Sequence, residues 1–136
     1  MDEPVLKSAN IVFHLPQGDD KDDDTKVSVN VTSKFNDDFD LQVAWRRDFA
    51  EGTWEDTGDK YYAYELSVAG GLRLSQLDRD VRTRIEIHPN GNDTVKFDYK
   101  LTLVFDDNNP TTAAVNLVQD RNGIVLSQDN KIYFSR

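Results

Sequence analysis

Five aspartates fall within six consecutive positions of "GDDKDDDTKVSV" (residues 18–29): Asp19, Asp20, Asp22, Asp23 and Asp24. Carboxylates packed this densely repel one another unless a positive charge sits among them. Calcium is the cation such a loop suits, since it takes about six to eight oxygens from carboxylates, carbonyls and water. Asp20, Asp22 and Asp24 form a D-x-D-x-D alternation, which in a tight loop turns several carboxylates towards one centre. The stretch is not an EF-hand loop. Its sixth position is Thr25 instead of Gly, its twelfth is Val31 instead of Glu, and a strand-like alternation follows where a helix should. A calcium site here would be completed from other loops, with Asp56, Asp59 and Asp93 as candidates. The competing reading is a solvated acidic turn that aids solubility.

Other chemistry is sparse. His14 and His88 are the two histidines, both in strand-like segments, and no Ser or Cys motif accompanies either. Acidic residues are so common that no pair of them points to glycoside hydrolysis. The expectation is a non-enzyme. Aromatic residues cluster between 45 and 64, and Trp54 sits in a polar loop, "EGTWEDTGD", where no periodicity buries it. An exposed Trp54, with Tyr61, would suit sugar stacking or a protein contact. Folding back as a plug over the end of the domain is the alternative for Trp54.

The elements that must position these residues read as strands. "KVSVNV" sets Val27, Val29 and Val31 on one face, and "FDLQVAW" does so with Phe39, Leu41, Val43 and Trp45. "YAYELSV", "VRTRIEIH" and the long "VKFDYKLTLVF" alternate in the same way, the pattern of strands with one buried and one wet side. Such alternation belongs to antiparallel sheets. Weaker strands are expected at 10–15, at 113–118 and in a terminal pair turned by "QDN" (128–130). "SQLDRD" (75–80) allows one helical turn capped by Ser75. The sum is one all-β domain over 1–136, an antiparallel two-sheet sandwich or jelly roll of eight or nine strands. Alternate loops of an antiparallel fold share an end, so 16–24, 47–60, 89–94 and 119–123 are expected together.

Composition narrows the partners. With a net charge of -9 and a pI near 4.6, the chain lacks the basic stripe that nucleic acid requires, and it does not adhere to anionic lipid by charge. No run approaches the roughly 18 apolar residues of a transmembrane segment. Cysteine is absent, which excludes disulfides and thiolate metal sites.

"GDDKDDDTKVSVNV" resembles the acidic, Thr-ended loop that enters a strand in PLAT and C2-type β-sandwiches, with weaker similarity over 87–107. The resemblance implies a sandwich whose loops at one end bind calcium and approach membranes or partners. The sequence thus leads to a non-enzymatic calcium-binding recognition module. The alternatives are a lectin-like carbohydrate-binding module, or a structural protein whose acidic loops keep it soluble.

Overall fold

The computed structural model describes residues 3–16, 21, 24–36, 39–50, 52–54, 60–77, 81–89, 93–107, 111 and 113–135. The fold is all-β, with strands β1 (Val5–His14), β2 (Lys26–Asn36), β3 (Phe39–Phe49), β4 (Tyr61–Val68), β5 (Arg82–His88), β6 (Thr94–Asp106), β7 (Val115–Ser127) and β8 (Ile132–Phe134). All pairings are antiparallel, and the strands run in one sheet, β7-β6-β1-β4-β3-β2-β5-β8, nearly closed into a barrel.

Two separate sheets were expected, and the β3–β4 join explains the difference. There the register comprises two residue pairs, Ala44 with Val68 and Trp45 with Ser67. Two four-stranded halves thus enclose one core as sandwich layers would, yet a short ladder makes them continuous. On the opposite side, β7 and β8 meet at a two-residue turn, where Ser127 and Asn130 exchange backbone hydrogen bonds. The terminal pair therefore opens at once, and β8 crosses to β5.

Side chains close that seam. The Thr83 and Tyr99 hydroxyls donate to Gln119 Oε1 at 2.6 and 2.8 Å, and Gln119 Nε2 donates to the Val81 carbonyl at 2.7 Å. Buried amides and hydroxyls must be paired in this way, because leaving one unsatisfied costs about 1–3 kcal/mol.

The predicted alternation fills the interior. Val27, Val29 and Val31 of β2 are buried, as are Val95, Phe97, Tyr99, Leu101, Leu103 and Phe105 of β6. Segment 113–118 and the following "IVLS" form one strand instead of two, so the loop expected at 119–123 lies inside β7. Gly123, at φ +72°, lets β7 absorb an irregularity opposite Asp98 without reversing the chain. The count is therefore eight. The helical turn is a 3-10 turn at Leu74–Gln76, begun by Arg73 and not by Ser75.

Candidate functional site

The three acidic loops do share one end. Lys21 and Trp54 exchange backbone hydrogen bonds at 3.1 Å, tying the first loop to the second. The Thr25 hydroxyl donates to Asp93 at 2.6 Å, tying the first to the third. Of the candidate metal ligands, Asp19, Asp20, Asp22, Asp23, Asp56 and Asp59 lie outside the described residues. Asp24 is exposed in a turn, and Asp93 is buried against Thr25. Among the described residues no three His, Asp or Glu side chains converge as a metal site.

A positive charge does sit in this loop, and the sequence supplies it. Lys21, in the middle of the aspartate run, is fully buried. Its Nζ donates to the Thr25 carbonyl at 2.8 Å and to the Gly52 carbonyl, and it lies 5.3 Å from the Trp54 ring centroid. Two carbonyls that could serve a metal serve an ammonium instead.

Trp54 takes the second of its two expected positions, and Trp45 departs from its expected one. Trp54 is 2% exposed and caps the barrel end, so it is the plug and offers no open face to a sugar. Its ring stacks on Phe13 at 4.5 Å and on Tyr62 at 5.7 Å, and its Nε1 donates to the Tyr64 hydroxyl at 2.8 Å. Alternation puts Trp45 on the inner face with Phe39, Leu41 and Val43. It is half-buried on the outside of the sheet, for a backbone reason. Val31 pairs with Ala44 and Thr32 with Gln42, so Val43 is an extra residue. One added residue reverses the alternation beyond it. Val43 and Ala44 are consecutively buried, and Trp45 turns outward opposite Asn30.

Around Trp45 lies a polar depression of about 300 Å³ across β3, β2 and β5, which includes Ser28, Asn30, Gln42, Arg47 and His88. A second, of about 490 Å³, lies on its β4 side and shares Gln42, Trp45 and Arg47. The indole stands between them. Gln42 Nε2 donates to Asn30 Oδ1 at 2.9 Å, leaving the Asn30 amide donors and the Gln42 carbonyl without partners among the described residues. The backbone is strained beside this face: Asp48 has φ +50° and Ala50 φ +67°. Such conformations cost about 1–3 kcal/mol and cluster at functional positions.

The fold also assembles Ser28, His88 and Asp48, a combination invisible in sequence because the three come from different strands. Ser28 Oγ lies 3.1 Å and Asp48 Oδ1 3.6 Å from His88, but both approach the same Nε2. A relay needs the serine and the acid on opposite ring nitrogens. The Asp48 N–H also donates to Ser28 Oγ at 3.0 Å, so the trio fixes the strained end of β3 in place.

Tyr61 is 69% exposed at the start of β4, the strand beside that of Trp45, six residues along from the Ser67 that pairs with Trp45. It stacks on His14 at 4.9 Å, and His14 Nδ1 meets Asp98 Oδ2 at 3.2 Å, beside a depression of about 280 Å³. Trp54 and Tyr61 therefore do not form one platform. Among the described residues no helix is long and apolar enough to cross a membrane. No protein-family model, characterised protein or solved structure matches the chain.

Proposed function

We propose that the protein is a non-enzymatic recognition module that binds carbohydrate on the outer face of β3, β2 and β5. The observation carrying this reading is Trp45, a half-buried indole on the outside of a sheet, between two polar depressions. Sugar rings present apolar C–H faces and a rim of hydroxyls. An indole takes the first, and neutral amides that both donate and accept take the second. Asn30 and Gln42 supply such amides on neighbouring strands. A face fixed on strands loses little freedom on binding. Screening the protein against an array of glycans tests the reading, with Trp45→Ala as control. Binding by the wild type and its loss in a folded Trp45→Ala protein are expected. Equal binding by the two proteins would move the site elsewhere, and no bound glycan would end the proposal.

The second reading is a calcium ion in the 18–24 loop, within a PLAT- or C2-like module. Its support is the carboxylate density of the sequence. Lys21 already brings one positive charge there, so a divalent ion would bind beside an ammonium. A bound ion at a hundredfold excess over Kd adds about 2.7 kcal/mol to stability. Millimolar calcium should then raise the melting temperature by about 10 °C. No shift at a calcium concentration of about ten millimolar would leave Lys21 as the counter-charge and the loop without a metal.

A further inference from the structure

Resting on the carbohydrate reading, we infer that the sugar this face selects carries a carboxylate, with its ring on Trp45 and its carboxylate on Arg47. Other charges on this face already have partners. Arg84 Nη2 meets Glu86 Oε1 at 3.0 Å, and His88 meets Asp48 at 3.6 Å. Arg46 donates to the Glu65 carbonyl at 3.2 Å and lies 5.1 Å from the Phe49 ring centroid. Arg47 is different. Among the described residues its exposed side chain has no hydrogen bond or ion pair, yet it borders both depressions that flank Trp45.

The spacing suits one sugar unit. Arg47 follows Trp45 by two positions, and two residues of strand span about 7 Å, the reach of a pyranose ring and its exocyclic carboxylate. A guanidinium offers a planar fork that matches a carboxylate with two parallel hydrogen bonds. The distant part of the net charge of -9 does not oppose this, because exposed charges beyond about 8 Å are largely screened at physiological salt, and the two carboxylates lining the same depression, Asp48 and Glu86, face His88 and Arg84. Asp24, the described aspartate of the run, is exposed in the turn before β2, whereas Trp45 and Arg47 lie on β3.

Titration calorimetry decides the matter, using oligogalacturonate, a neutral oligosaccharide of equal length and a sulfated one. The wild type should bind the uronate about tenfold or more tighter than the neutral sugar. Arg47→Gln should reduce uronate binding to the neutral level without changing the neutral sugar, and Arg47→Lys should restore part of the preference. Trp45→Ala should weaken both. Neutral and uronate sugars bound equally, or Arg47→Gln weakening both alike, would overturn the inference while leaving carbohydrate recognition intact. Preference for the sulfated sugar would overturn the carboxylate assignment. Failure of the wild type to bind any sugar would remove the recognition role itself, and this inference with it.

Discussion

Replacing each tryptophan in turn should produce opposite results, and the contrast tests the bulge in β3 directly. Trp54→Ala removes an indole stacked on Phe13 and Tyr62 and takes the N–H donor from Tyr64. Truncations of buried aromatics cost about 3–5 kcal/mol, and the fully enclosed position of Trp54 argues for about 4. The unfolding entropy near the midpoint is about 2.1 cal/mol/K per residue, or about 0.29 kcal/mol/K for this chain of 136 residues. The melting temperature should therefore fall by about 14 °C. Trp45→Ala removes a half-buried side chain that leaves no interior cavity, worth about 1 kcal/mol and about 3 °C. Calorimetric melting of both variants gives the shifts. Fluorescence quenching by acrylamide gives an independent check, with the remaining tryptophan accessible in Trp54→Phe and shielded in Trp45→Phe. A larger loss for Trp45→Ala than for Trp54→Ala would mean that the alternation runs unbroken through β3 and that no binding face exists there.

Lys21→Met should cost about 3–5 kcal/mol in chemical denaturation, because it strips a buried ammonium from the Thr25 and Gly52 carbonyls and from an acidic loop; a loss under about 1 kcal/mol would show the ammonium to be dispensable. Burial pushes the Tyr99 hydroxyl well above its ordinary value of 10.0, so folding favours the neutral phenol. That contribution is complete below pH 10 and is lost as pH rises towards the folded-state value, at about 1.4 kcal/mol per pH unit. The alkaline fall in melting temperature should be shallower in Tyr99→Phe, and identical profiles would refute the assignment. Gln119→Leu should lower stability by about 1–3 kcal/mol and speed amide exchange in β8 and β5 more than in β1. Uniform exchange across the sheet would show that Gln119 does not hold the seam.

Most of the strands were legible because period-two alternation follows from burying one face, and β2 and β6 obey it throughout their buried positions. The gathering of the three loops was legible too, since antiparallel order alone dictates it. What escaped was local. The extra Val43 in β3 has no sequence signature, because valine suits a strand in or out of register, and so Trp45 read as an inward residue. Trp54 lies in a loop where no period applies, which left its open and plug positions equally legible. Gly123 reads as a turn residue, although it only bends β7. Lys21 escaped for a different reason. One basic residue among five acids looks like dilution of charge, and only the carbonyls brought round from Gly52 make it a buried centre. Arg47 carries no motif at all, and it stands out only once the neighbouring charges are seen to be paired.

The two joins between the four-stranded halves are unequal in kind. One is a ladder of two residue pairs at β3–β4, and the other is a set of side-chain hydrogen bonds around Gln119. A cylinder fastened so lightly along two opposite lines is stiff along its strands and soft across them, like a tube scored lengthwise. Trp45 lies on one of those lines, paired with Ser67. A chain-like ligand lying over it from β5 to β4 would act as a splint, so occupancy would register as mechanical resistance to parting the halves.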